Sequence, residues 1–336
     1  MSRRPSSTVD WPAAGHRAGA LVRAGTAPSA GDAAELVESL RSSAVRARAL
    51  ALRAARLHRA LEAPGAVTEP AQVLVVDRAG WARAAAASFA GISAGHPVPG
   101  TTAQAAALLA LLATRVLGQY DPYTGEGRLL LVAPNVLRAE RAMRVPRADF
   151  RLWVCVHEQT HALQFAAAPW LADHLRGELA ALVAEVDETP PRAEAAAVLT
   201  GLARALRGGA REQWSFLDVL PEGQRERVER LTAVMSLLEG HADVTMDAAA
   251  RAIPSARLLR TRMEARRSSS APGDQLLRRL LGLDAKLAQY RDGAAFVKAV
   301  RRRGGRDVLD AAWASPEGLP LPGEIADPAA WLRRVG

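Results

Sequence analysis

Apolar residues recur at helical spacing over most of this chain, and only short runs depart from that rhythm. Residues 33–62 carry Leu36, Leu40, Leu50, Leu57 and Leu61 among charges, which predicts a long amphipathic helix or helix pair ending before Pro64-Gly65. Gln72-Val-Leu-Val-Val-Asp77 is a β-branched run and reads as a strand. Helices follow over residues 81–89 and 102–117, separated by the loop 95–100. Gly118-Gln-Tyr-Asp-Pro-Tyr-Thr-Gly125 reads as a turn-rich connection. It leads into Arg128-Leu-Leu-Leu-Val-Ala-Pro134, a second strand stopped by its proline. From Asp149 onward nearly everything reads as helix, with breaks at Thr189-Pro-Pro191, Arg207-Gly-Gly209, Pro221, Pro254, residues 268–273 and the proline-rich tail from Pro316 to Pro328. The pattern predicts a predominantly helical α+β fold with a small sheet. An N-terminal helical region, 1–70, is expected to pack on the remainder, 71–336, as one continuous domain.

The helix around residue 157 interrupts its apolar pattern with a polar island. Phe150-Arg-Leu-Trp-Val-Cys-Val-His-Glu-Gln-Thr-His-Ala-Leu-Gln-Phe165 contains His-Glu-x-x-His. On a helix His157 and His161 lie one turn apart on one face and can share an ion, while Glu158 is displaced towards a water on that ion. A catalytic zinc needs a third protein ligand and keeps one position open. Val234-Met-Ser-Leu-Leu-Glu-Gly-His-Ala-Asp-Val244 offers Glu239 and Asp243, also one turn apart in an apolar helix, where paired acids need a cation. Glu239 is the favoured third ligand, with Asp243 accepting a hydrogen bond from a ligand histidine. His241 is the rival ligand, and otherwise a candidate catalytic group for the oxyanion, as are Tyr120, Tyr123 and His174. His16, His58 and His96 read as ordinary. If the protein is a peptidase, its substrate should pair with an edge strand; residues 129–132 are either that edge or a buried central strand.

Composition narrows the setting. The chain has 336 residues, 44 basic against 35 acidic, and all but Lys286 and Lys298 of the basic ones are arginine. Clusters at Arg257, Arg260, Arg262, Arg266 and Arg267 and at Arg301, Arg302, Arg303 and Arg306 lack interleaved aromatic residues, so specific nucleic-acid binding is not expected. No apolar stretch approaches the roughly 18 residues of a membrane span. The first ten residues lack the apolar core of a secretory signal, and the lone Cys155 excludes an intramolecular disulfide. The expected compartment is the cytoplasm; oligomeric state is not encoded legibly.

Several segments together resemble a known family. Val116-Leu-Gly-Gln-Tyr-Asp-Pro122, residues 128–135, residues 149–161, Leu238-Glu-Gly-His-Ala-Asp243 and residues 281–293 are similar to a bacterial family whose members are named zinc-dependent metalloprotease, hydrolase or deazaflavin-coenzyme biosynthesis-associated protein. The resemblance runs from about Val9 to the C-terminus. It implies a zincin-like fold of the gluzincin type with zinc at His157, His161 and Glu239. The activity expected is hydrolysis of a peptide or other amide, with Glu158 as general base. The competing expectation is a non-catalytic helical scaffold that keeps zinc for stability. A structural zinc site is usually closed by four ligands and rich in cysteine, which argues against it.

Overall fold

The computed structural model describes residues 8–25, 29–67, 69–93, 98, 100–187, 221–268, 283–305 and 307–336. The breaks anticipated at 189–191, 207–209 and 269–273, and His96, lie outside these residues. The opening helices are α1 (Trp11–Leu21), α2 (Ala30–Ala55) and α3 (His58–Glu62). The helix pair expected over 33–62 is thus α2 and α3, divided where Arg56 takes a left-handed conformation with φ of 58°. Strand β1 (Gln72–Val76) is followed by α4 (Arg78–Ile92) and α5 (Thr102–Ala113). The chain then forms β2 (Gly118–Asp121), β3 (Arg128–Val132) and α6 (Ala133–Met143). Pro134 ends β3 by standing in the first turn of α6, where a missing N–H costs nothing.

The sheet has three strands in the order β1-β3-β2, with β1 parallel and β2 antiparallel to β3. This corrects one expectation and decides another. Gly118–Asp121 is a strand and not a turn-rich connection, and of the two places left open for residues 129–132 they take the centre, with β1 and β2 at the edges. The central position explains the unbroken Leu-Leu-Leu-Val run. Leu129 and Leu131 enter a core with α2 and with α7 (Arg147–Ala167), while Leu130 and Val132 enter another with α1, α4 and α5. A strand covered on both faces is apolar at every position.

α7 is buried nearly all round, from Phe150 to Ala167. Two of its polar residues find partners inside: Arg151 holds Glu140 at 2.9 Å and Gln159 Nε2 donates to the Ala44 carbonyl at 3.2 Å. After α8 (Trp170–Asp187) comes α9 (Glu222–Ala249), which packs against α7, α2 and α11 (Leu283–Gly304). The chain between them forms α10 (Ala256–Ser268). The helices α12 (Ala311–Ala314), α13 (Pro322–Ala326) and α14 (Pro328–Val335) complete the fold. α9 and α11 touch backbone to backbone: a Cβ added to Gly240 would lie 2.1 Å from the carbonyl carbon of Gly293, and one on Gly293 2.0 Å from the Ser236 carbonyl oxygen. Only glycine permits this approach.

Candidate metal centre

Two helices carry the candidate ligands. α7 places His157 and His161 on one face, with ring planes at 89° and centroids 4.6 Å apart, and α9 brings Glu239 against both. The Nε2 atoms are 3.2 Å apart, and Glu239 carboxylate oxygens lie 3.5 Å from that of His157 and 3.7 Å from that of His161. Donors held at about 2.0 to 2.1 Å on a tetrahedral zinc stand about 3.4 Å from one another, so the observed triangle fits that ion's coordination edges. Among the described residues, these three form the His/Cys/Asp/Glu group close enough to share a metal. Lone pairs converging at a half-buried point repel unless a cation or proton lies between them.

Glu158 turns from this face into the interior beside β2. It is 7% exposed, and the backbone N–H of Tyr120 donates to its carboxylate. Burial raises its pKa to about 7; the nearby His161 opposes the shift and Glu239 adds to it. The carboxylate fits only because residue 118 is glycine, since a Cβ there would lie 2.6 Å from Glu158 Cγ. Beside His157 and Glu158 opens a cavity of about 220 Å³, also lined by Gly118, Trp153, Asp243 and, from α10, Arg260. Arg260 lies over the Trp153 ring at 5.8 Å and pairs with Asp247, so this member of the basic cluster serves the cavity wall.

His241 does not reach the cavity. It is fully buried on the opposite side of α9, and burial, with Arg301 adding to it, pushes its pKa down to about 3, so the ring is neutral. Its Nε2 faces the Ala55 carbonyl at 2.9 Å and its Nδ1 faces Gln164 Nε2 at 3.0 Å. The outer nitrogen of His161 is taken by Gln164 Oε1 at 2.9 Å, a place expected for Asp243 if it served that ring. The other oxyanion candidates also present no side chain to the cavity. The Tyr120 ring rests against Phe165 at 5.5 Å, Tyr123 lies under Arg176 at 5.7 Å, and His174 meets Trp170 at 5.9 Å. Gln164, Gly118 and the Tyr120 amide were not anticipated. Only Gln164 left a sequence signal, its spacing of three from His161.

A crystal structure from Chloroflexus aurantiacus, described as "a putative hydrolase with a novel fold", superposes with a TM-score of 0.66 at 28% identity, covering 97% of this chain and 98% of that one. No curated protein matches the chain. The profile of zincin-like metallopeptidases matches residues 9–332, both helices that carry the candidate ligands and the strands included, and the chain belongs to that family.

Proposed function

We propose that this protein is a zinc-dependent hydrolase of peptide or other amide bonds, with His157, His161 and Glu239 as the metal ligands and Glu158 as general base. The observation that carries the reading is the convergence of three ligand atoms, 3.2 to 3.7 Å apart, beside a buried carboxyl group with a pKa of about 7. Two imidazoles and one carboxylate are a donor set suited to zinc. Bound there, zinc supplies Lewis acidity to a carbonyl and acidifies a water in its open position. Glu158 accepts the proton of the attacking water and returns it to the leaving amine, and its near-neutral pKa suits both transfers. The Tyr120 N–H keeps the carboxylate oriented. The edge strand β2, which runs beside α7, is the place for an extended substrate to pair, and Trp153 and Arg260 in the adjoining cavity receive a side chain. Asp243 lines that cavity and serves His157 in preference to His161, whose outer nitrogen is occupied. Residues 1–70 act with 71–336 as one catalytic unit.

Elemental analysis of purified protein should find about one zinc per chain, and a peptide library should be cleaved in a zinc-dependent manner. Replacing His157 or His161 with Ala should abolish both. A protein that takes up no transition metal overturns the reading, and one that binds zinc but cleaves no amide favours the scaffold alternative.

A further inference from the structure

Behind the ligand face of α7 the side chains form a chain of hydrogen bonds with one self-consistent direction. It has two fixed ends, because the backbone carbonyls of Ala55 and Leu238 only accept. His241 Nε2 lies 2.9 Å from the Ala55 oxygen and must carry a hydrogen. The Leu238 oxygen, 2.8 Å from Gln164, must face the amide nitrogen of that residue, and the same nitrogen faces His241 Nδ1 at 3.0 Å, so Nδ1 accepts and the ring carries its hydrogen on Nε2 alone. Gln164 therefore turns its oxygen to His161 Nδ1 at 2.9 Å, and that nitrogen must be protonated. The remaining nitrogen of His161, Nε2, then carries the lone pair of the ring, which points at His157 and Glu239.

We propose that Gln164 and His241 are positioning residues which hold His161 in the Nδ1–H tautomer and set the distance between the two ligand-bearing helices. The proposal rests on the reading of His157, His161 and Glu239 as a metal site. Gln164 is suited to both tasks, because it belongs to α7 while its amide nitrogen holds the carbonyl of Leu238, the residue before Glu239. His241 is held in turn from α2, where Ala55 is the last helical residue and also accepts from Arg301 Nη2 at 2.9 Å. The Trp313 ring, 5.3 Å from that of His241, closes the far side. The chain thus anchors a ligand tautomer to a helix end remote in sequence. An amide occupies the place where a carboxylate commonly orients a ligand histidine. Gln164 is neutral in this role, so it orients the ring without adding charge behind the ion.

Long-range ¹⁵N NMR of histidine-labelled, metal-free protein at about pH 8 reads the tautomers directly. The expected result is Nδ1–H for His161 and Nε2–H for His241; either ring in the opposite form overturns the proposal. Gln164→Met keeps the volume and removes the bonds, and by competition with a chromophoric chelator it should bind zinc about 10- to 100-fold more weakly. Gln164→Glu retains an oxygen for His161 Nδ1 but sets a second acceptor against the Leu238 oxygen and His241 Nδ1, so it should keep the Nδ1–H form of His161 without restoring full zinc affinity. A folded Gln164→Met protein with wild-type zinc affinity overturns the proposal, and if that variant does not fold, the wild-type tautomers decide. Wild-type protein that binds no zinc while showing the expected tautomers sinks the metal reading and not the hydrogen-bond chain. Tight zinc binding with His161 in the Nε2–H form does the reverse.

Discussion

Replacing Glu158 with Gln separates what this residue does for catalysis from what it costs the fold. The folded pKa of about 7 stands above the ordinary 4.5 because burial disfavours the charge. Below the unfolded pKa the carboxyl is neutral in both states, and Gln, nearly isosteric with it, changes little. As pH rises from 4.5 to 7 the unfolded chain gives up its proton while the folded one keeps it, so folded stability falls; above 7 the loss is constant. Two and a half pKa units correspond to a cost on the order of 3 kcal/mol at pH 8. Gln, which keeps an oxygen for the Tyr120 N–H, avoids that cost. Urea unfolding in a chelator should therefore show Glu158→Gln little changed at pH 4.5 and more stable than wild type by on the order of 3 kcal/mol at pH 8. Zinc should narrow the gap, because a cation nearby favours the wild-type carboxylate. Hydrolysis should fall by about 10² to 10⁴ with zinc retained, and wild-type activity should rise with pH as Glu158 ionises. A variant no more stable than wild type at pH 8, or equally stabilised at both pH values, refutes the argument from burial.

Other substitutions test the surroundings of the site. Gly118→Ala places a Cβ 2.6 Å from Glu158 Cγ and should shift the carboxylate, lowering kcat about 10²-fold in a steady-state assay while metal analysis still finds zinc. Gly240→Ala must push α9 off α11, so the melting transition should fall by the equivalent of roughly 3 kcal/mol or more, with weaker zinc binding because Glu239 is its neighbour. Glu239→Ala should bind zinc far more weakly than Asp243→Asn, for which chelator competition should show a loss of about 10- to 100-fold at most. Equal effects of the two would require the third ligand to be reassigned.

The candidate ligand face was legible because its signal is local. His157 and His161 are one helical turn apart, and an acid at 239 in an apolar helix calls for a partner wherever that helix packs. The strand at Gly118–Asp121 was hidden because Gly-Gln-Tyr-Asp has the composition of a turn. Its extended form is imposed by pairing, Gly118 with Leu131 and Tyr120 with Leu129, and by the Glu158 side chain against Gly118. Whether β3 lay at the edge or the centre was likewise open, since an apolar run fits either until both faces are seen to be covered. His241 was harder, because a residue two positions from Glu239 lies about 200° around the helix and so on the far side from the ligands. Its partner Ala55 is 186 residues away in sequence, a separation that no local pattern reports. Gln164 takes its meaning from that distant contact.

The glycine crossing of α9 and α11 also bears on when the site can form as the chain is made. Glu239 belongs to a helix whose next residue is pressed directly against Gly293, more than fifty positions later. While a nascent chain ends short of that point, α9 has α2 and α7 to pack on but not α11, although His157, His161 and Glu158 have long since emerged. The candidate ligand set would then come together only after residue 293 has been made, well behind its two histidines.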